Sequence, residues 1–281
     1  MRILACSLTA LVLLVSSCGG PPPLPSAEYP ETARIDHVDD YFGTSVPDPY
    51  RWFEDLDSEE TAAWVEAQNA VSVPYLEALP RREELKERLT ELWNYERFGV
   101  PQKQGGGYFF TRNDGLQDQD VLYVARSLED EGRVLVDPNG FSADGTVALG
   151  SYWISPDGSL IAYGTADGGS DWQTYRFRDV DTGEDLEDVI RFTKFTSIAW
   201  EPDNKGFYYA RYPEGPDGLG DGQGASSVYY HRLGTPQGDD ELVFGQPENP
   251  NRIPGAYVTR DGAYLLIGVM QGAIVGCHVE G

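Results

Sequence analysis

Serine and histidine are the residues of this chain that could supply a nucleophile and its general base. A serine nucleophile needs a histidine within hydrogen-bond reach, and it often lies in a G-x-S-x-G turn between a strand and a helix. Residues 168–172 (GGSDW) lack the second glycine and are flanked by predicted strands, so Ser170 is predicted to be a turn residue. His37 lies in an acidic segment, His231 on a predicted strand and His278 near the end. We therefore assign no catalytic residue.

Metal binding finds no better support in the sequence. No group of His, Cys and Glu residues has the spacing of metal ligands. The acidic loop 217–221 lacks the bidentate Glu that a calcium loop needs at its twelfth position. We expect neither a metal nor a cofactor.

A repeated turn organises the middle of the chain. In residues 151–164 (SYWISPDGSLIAYG), two apolar runs flank a turn in which Pro156 fixes φ and Gly158 supplies a positive φ, which predicts a hairpin. Similar segments return at 197–211 and 255–268, with turn aspartates 46 and 58 residues apart. Recurrence at about 40–60 residues is typical of a β-propeller with one four-stranded blade per repeat. A sandwich of ordinary hairpins is the alternative.

Strand patterns begin at Arg97 and fall into groups of four. The predicted strands are 97–103, 108–112, 121–126 and 134–136; then 152–155, 160–165, 173–179 and 186–190; then 197–200, 206–211, 228–232 and 241–244; and finally 256–259 and 264–269. The aromatic runs 108–110 and 207–209 are predicted to pack inside the blades. This gives three blades and a half.

Composition excludes several classes of partner. The 281 residues suffice for one or two domains, and a formal net charge of −25 disfavours nucleic acid and anionic membrane surfaces. Cys6 and Cys18 lie near the N-terminus and Cys277 stands alone, so no disulfide framework is expected inside the fold.

The N-terminus has the pattern of an export signal. Residues 1–17 combine one basic residue, an apolar core and small residues, which predicts a signal peptide. The sequence VSSC before two glycines resembles a bacterial lipobox, with Cys18 as the lipid-modified residue; an ordinary signal peptide is the alternative. Residues 18–28 then form a Pro-rich linker. We expect an exported periplasmic or cell-surface lipoprotein that meets the membrane only through its lipid anchor.

Residues 29–95 are predicted to form a helical arm. Asp57 and Glu60 suggest a capping box for a helix at 59–70, and a short helix at 75–79 follows between two prolines. The clearest helix is 82–93. One face of it carries Leu85, Leu89, Leu92 and Trp93. These helices need an apolar partner surface, which the first hundred residues do not otherwise offer.

Five short stretches, in this order and spacing, resemble the prolyl oligopeptidase family of serine peptidases. They are 48–69 (DPYRWFEDLDSEETAAWVEAQN), 115–127 (GLQDQDVLYVARS), 144–149 (DGTVAL), 168–172 (GGSDW) and 195–200 (FTSIAW). The resemblance runs from about residue 29 to residue 268. It implies an α/β-hydrolase domain with a seven-bladed propeller inserted near its beginning, the helical arm belonging to the hydrolase domain.

The resemblance sets the expected fold class and domain limits. We expect a mainly β fold, with an α-helical N-terminal arm (29–95) before an incomplete β-propeller (96–268) of about three and a half of seven blades. Residues 269–281 (VMQGAIVGCHVEG) depart from the family pattern and are predicted to be an atypical tail. We interpret that tail as the product of a shifted reading frame or a truncated gene, with a genuine short form as the alternative.

The resemblance also implies a function. The family's Ser, Asp and His triad lies in the C-terminal hydrolase domain, which this chain does not contain. We therefore expect the N-terminal part of a serine endopeptidase that cleaves short peptides after proline, inactive alone, and leave open whether this chain is itself an enzyme. Phe195 matches a phenylalanine that lines an apolar substrate subsite, and Ile253 aligns with another apolar position there. Either residue could instead belong to the propeller core, a reading that Ile253 fits better.

The rival interpretation is a non-catalytic surface lipoprotein whose blades form a binding module. Propellers close with about 4–8 blades, and three and a half would leave an open sheet edge. That geometry argues against the rival.

Overall fold

The computed structural model describes residues 28–215, 220 and 224–271, and the backbone of 274–280. The chain divides into two compact units, residues 1–92 and 93–281. The predicted signal peptide, Cys18, nearly all of the linker and all of loop 217–221 except Gly220 lie outside the described residues. Within the described part, no helix is long and apolar enough to cross a membrane.

The first unit combines a hairpin with helices. Strands β1 (Val38–Tyr41) and β2 (Thr44–Pro47) pair antiparallel, and a 3-10 turn (Arg51–Glu54) leads to helices α1 (Glu59–Glu77) and α2 (Arg82–Trp93). The ring of Phe53 stacks on Trp52 at 3.9 Å and meets the edge of Trp64 at 4.7 Å. Aromatic packing therefore fixes the start of α1. Leu85, Leu89, Leu92 and Trp93 of α2 are each at least half exposed.

Helix α1 differs from its prediction at both ends. The cap is Ser58, whose side chain accepts a hydrogen bond from the Thr61 amide at 3.2 Å; the predicted Asp57–Glu60 capping box is wrong. The helix also continues through Pro74, so the separate helix at 75–79 is wrong. Pro74 lies in the last turn, where its carbonyl still accepts a hydrogen bond from the Ala78 amide. Because proline has no backbone N–H, the helix loses a single hydrogen bond there.

Removing the Ser58 hydroxyl tests this cap. We expect Ser58→Ala to lower the free energy of unfolding by about 1 kcal/mol, because an amide of the first turn loses its acceptor. Asp57→Ala is the matched control and should change stability by less than about 0.5 kcal/mol. Urea unfolding followed by circular dichroism at 222 nm measures both. A larger loss of stability for Asp57→Ala than for Ser58→Ala would instead support the predicted capping box.

In the described residues of the second unit, the strands form four antiparallel sheets. The first sheet contains β3 (Arg97–Phe98) and β4 (Gln102–Gln104), both paired with β5 (Gly107–Asn113), then β6 (Val121–Ala125) and β7 (Arg133–Val136). The second contains β8 (Val147–Ile154), β9 (Leu160–Asp167), β10 (Trp172–Asp179) and β11 (Asp185–Lys194). The third contains β12 (Ala199–Trp200), β13 (Gly206–Arg211), β14 (Ser227–Arg232) and β15 (Glu241–Gly245). The fourth contains β16 (Ile253–Val258), β17 (Leu265–Gln271) and β18 (Ile274–Glu280).

Each pair of successive sheets encloses an apolar cluster. Phe109 and Ile161 belong to the cluster of the first and second sheets, Phe177 and Phe207 to that of the second and third, and Ile267 to that of the third and fourth. Consecutive meanders packed face to face are blades, so the prediction of a mainly β, partial propeller fold preceded by helices is confirmed. The predicted role of the aromatic runs as blade packing is confirmed as well.

The repeated turns also touch one another. Gly158 has a φ of +77°, as the hairpin at 151–164 predicts, and the equivalent residue of the third sheet is Asn204 at +56°. The Gln104 amide donates to the Pro156 carbonyl at 3.1 Å, which joins the turns of the first two sheets. Gly262 of the fourth sheet lies against Pro202 of the third. The turns at this end therefore pack in succession.

The predicted atypical tail departs from expectation. The fourth blade was predicted to break off after Val269, but β17 runs to Gln271 and β18 pairs with it from Leu265↔Glu280 to Gln271↔Ile274. An apolar segment on each side of a short connection is enough to form this hairpin. The tail thus adds a third strand to the fourth sheet.

Candidate substrate-facing end of the sheets

Strand direction places the two predicted substrate residues at one end of the sheets. Phe195 follows the last residue of β11, and Ile253 is the first residue of β16. Strands alternate in direction within each antiparallel sheet, so the end where β11 stops is also the end where β12 and β16 begin. The Ser197 hydroxyl donates to the Ala256 carbonyl at 3.1 Å, which joins the two segments directly. After the prediction made for these two residues, we call this the substrate-facing end.

Phe195 presents an aromatic surface to solvent. Its side chain is 55% exposed, and its backbone has a φ of +54°, a left-handed conformation that turns the chain from β11 into the next strand. This exposure favours the substrate interpretation of Phe195 over the alternative that its ring belongs to the propeller core. An exposed aromatic ring in a strained turn is a common feature of binding surfaces, where strain is retained for function.

A cation lies beside this ring. The Lys194 ammonium is 5.1 Å from the ring centre of Phe195 and 5.6 Å from that of Trp172, and it forms an ion pair with Asp171 at 3.3 Å. Trp172 in turn meets the ring of Tyr212 edge-on at 5.3 Å, and burial raises the pKa of that phenol. These contacts hold the lysine and the aromatic side chains in place around Phe195.

Sequence reasoning missed Trp172, Lys194 and Tyr212. A signal was present, because all three lie at strand ends that a correct strand register brings to the same side as Phe195. Without that register, each looks like an ordinary strand residue.

Ile253 is less available to a ligand. Its side chain is half-buried, and its residue pairs with Met270 across the hairpin of β16 and β17. The preceding residue, Arg252, donates to the Gln271 and Gln246 side chains at 3.0 Å each. Ile253 is therefore a partly buried residue at the start of β16.

A polar cavity opens at the same end between the first two sheets. Its volume is about 480 Å³, and its lining includes Asp118, Asp120 and Tyr152. Gln119 fixes one wall, since its amide donates to the Val147 carbonyl at 2.8 Å and its oxygen accepts from the Leu149 amide at 3.1 Å. The substrate-facing end thus joins an aromatic surface to a concave acidic one. Among the described residues, no group of His, Cys, Asp and Glu is arranged to hold a metal ion.

The candidate nucleophile and bases are engaged elsewhere. Ser170 lies in a turn, where its amide donates to the Asp167 carbonyl at 2.9 Å and its hydroxyl accepts from the Trp172 amide at 3.1 Å, as predicted. His37 contacts Asp39 at 3.1 Å, and His231 contacts two aspartates. The side chain of His278 lies outside the described residues. Where the structure describes a histidine side chain, its hydrogen-bond partners are carboxylates and not hydroxyl groups.

Antiparallel sheets of three to five described strands, packed one after another, define the second unit as part of a β-propeller. A family model described as "Prolyl oligopeptidase, N-terminal beta-propeller domain" matches residues 30–275. The chain therefore belongs to the prolyl oligopeptidase family and contains sequence of its N-terminal propeller domain.

Comparisons with individual relatives agree with this family assignment. The chain is 42% identical over 242 residues to a prolyl endopeptidase of Elizabethkingia meningoseptica, covering 85% of this chain and 34% of that protein. It is 36% identical over 281 residues to the dual function macrocyclase-peptidase of Amanita bisporigera, covering 90% and 38%. Prolyl oligopeptidase B from Galerina marginata, solved with a 25mer macrocyclization substrate, superposes with a TM-score of 0.73 at 31% identity, covering 90% and 41%. The chain spans about a third of the length of the curated relatives it matches.

Proposed function

We propose that this chain is the N-terminal, propeller-containing portion of a serine endopeptidase that cleaves short peptides after proline, and that it does not hydrolyse peptides by itself. The observation that carries this proposal is the match of residues 30–275 to the family's propeller domain, at 42% identity to a prolyl endopeptidase. The hydrogen bonds of Ser170, His37 and His231 support the second part, because each group is committed to a structural partner.

The substrate-facing end gives the propeller its part in this activity. We assign Phe195 to an apolar contact with the bound peptide, since its ring is exposed and fixed by a turn rather than packed in a blade. Ile253 supplies a secondary apolar edge, since most of its side chain is already buried. Burying an apolar side chain of a ligand against such a ring stabilises it by about 1–2 kcal/mol.

A chimeric enzyme tests the proposal. Residues 30–275 replace the corresponding part of the Elizabethkingia prolyl endopeptidase, and a fluorogenic proline peptide reports activity. We expect the chimera to turn over the peptide and the chain alone to show no turnover. Inhibitor-sensitive turnover by the chain alone, or a folded chimera without activity, would count against the proposal.

The same chimera tests Phe195 separately. Phe195→Ala should lower kcat/KM by about tenfold, the effect of one lost apolar contact. Tyr257→Ala is the matched control, because Tyr257 is an aromatic residue 64% exposed inside β16. Equal kcat/KM values for the two variants would show that Phe195 does not contact the peptide, without affecting the peptidase assignment.

A further inference from the structure

His231 is buried between two carboxylates. Its Nδ1 lies 2.7 Å from Asp240 and its Nε2 lies 3.1 Å from Asp188. The three side chains are 1%, 0% and 6% exposed, respectively. Neither the substrate-facing end nor the proposed peptidase function uses this group.

The cluster joins the second sheet to the third. Asp188 belongs to β11 of the second sheet, whereas His231 belongs to β14 of the third and Asp240 precedes β15. Asp188 also accepts from the Gly234 amide at 2.6 Å, and Asp240 accepts from the Tyr209 hydroxyl at 2.5 Å. Each carboxylate is therefore held in position by a donor other than His231.

A second contact crosses the same junction. The Gln237 side chain donates to the Arg191 carbonyl at 3.0 Å and accepts from the Arg191 amide at 3.1 Å. It also donates to the Tyr209 hydroxyl at 3.1 Å. The polar atoms of this junction are thus arranged as one hydrogen-bonded unit with His231 at its centre.

The ring chemistry decides which form of His231 fits. A neutral imidazole has one N–H donor and one lone pair, and only imidazolium donates from both nitrogens. Each nitrogen here faces a carboxylate oxygen, an acceptor. The neutral ring would aim its lone pair at one of these buried carboxylate oxygens, which would lose the imidazole donor and face a second acceptor, an arrangement that is costly in a buried site.

We propose that a proton held by His231 is a structural component of the junction between the second and third sheets, and that its release at alkaline pH loosens this junction. The packing of these two sheets would then depend on pH through a group that is separate from any catalytic residue.

The electrostatic surroundings agree with the geometry. Burial alone lowers the pKa of His231, but the hydrogen bonds to Asp240 and Asp188 outweigh it and hold the pKa above its ordinary value of 6.5. Burial raises the pKa of the Tyr209 phenol, which therefore stays a donor to Asp240, and the charge of Arg211 acts on that phenol. Asp188 on β11 and Asp240 before β15 act on the ring itself, and Tyr209 on β13 contacts it through Asp240.

The direction of the pH effect follows from the raised pKa. The native state binds one more proton than the unfolded chain between the ordinary pKa of 6.5 and the pKa of the folded state. Stability from this group is therefore complete below about pH 6.5 and is lost as pH rises through the folded pKa. In that interval the unfolding equilibrium constant should increase up to about tenfold per pH unit.

Nitrogen-15 NMR of the imidazole ring in the full chain tests the proposal without any variant. We expect both ring nitrogens of His231 to give imidazolium shifts at pH 7, and His37, which has a single carboxylate partner, is recorded in the same spectra as the reference histidine. A neutral His231 ring at pH 7 would overturn the proposal.

Urea unfolding between pH 6 and pH 9 supplies the second measurement. The unmodified chain should lose stability across this range, and His231→Gln should show a flatter profile, with His37→Gln as the matched control that keeps the slope. Asp188→Asn is included because it preserves size and an acceptor for the Gly234 amide; it should shift the loss of stability to lower pH, because one of the two carboxylates that raise the pKa of His231 is neutralised. If stability had the same pH dependence in the unmodified chain, His231→Gln and Asp188→Asn, the proposal would be overturned.

Discussion

Replacing Phe207 by alanine is expected to lower the free energy of unfolding by about 3–5 kcal/mol, the usual cost of removing a large buried aromatic ring. Phe207 is 0% exposed and lies where the second and third sheets meet. Its ring stacks on Phe177 at 4.7 Å and meets Trp200 edge-on at 5.3 Å. The alanine variant would leave a cavity between two blades that neighbouring rings cannot fill.

Urea unfolding followed by tryptophan fluorescence measures this effect, since Trp200 reports directly on the cluster. Phe207→Leu keeps most of the volume and should cost less than about 1.5 kcal/mol. Phe195→Ala serves as the matched control, because that ring is exposed, and should stay within about 0.5 kcal/mol. Similar losses for Phe207→Ala and Phe195→Ala would show that Phe207 is not a centre of the inter-blade core.

Gly105→Ala is expected to destabilise the protein by about 2–4 kcal/mol, combining a disfavoured backbone conformation with steric overlap. Gly105 has a φ of +54°, and a Cβ added there would overlap the backbone carbonyl of Asp157 in the next turn. A backbone atom cannot move aside as a side chain can. The first two blades would have to separate to accept one methyl group.

The neighbouring glycine provides the control. A Cβ on Gly106 would meet no heavy atom within 4 Å, and its φ lies outside the left-handed region. Gly106→Ala should therefore change the unfolding midpoint little in the same urea titration. If Gly105→Ala were as mild as Gly106→Ala, the succession of packed turns would contribute little to stability.

The strands were predictable because their signals are local. The alternation around residues 151–164 predicted the hairpin of β8 and β9, and β13 was predicted at its observed limits of Gly206–Arg211. Strand β8 begins earlier than predicted, at Val147, because Gly150 and a register irregularity between Leu149 and Ser151 interrupt the alternation between its first residues and the rest of the strand. Its partner β9 extends the pairing to them.

Other features depend on residues that the sequence keeps apart. Asp188 and His231 are 43 residues apart and meet only because two sheets pack together, so no spacing rule could reveal the cluster. The exposure of Phe195 likewise depends on a positive φ that a phenylalanine rarely adopts. Ser58 rather than Asp57 caps α1, a one-residue choice that depends on the turn leading into the helix.

The consecutive order of strands has a consequence for how the chain acquires its structure. Strands within each sheet pair with near neighbours along the chain, so each hairpin closes over a short loop at low entropic cost. A growing polypeptide can therefore complete one blade while the next is still being translated, N-terminal blade first. Joining blades depends on the inter-sheet clusters, so the slow and error-prone events of synthesis should be the docking of finished sheets rather than their formation.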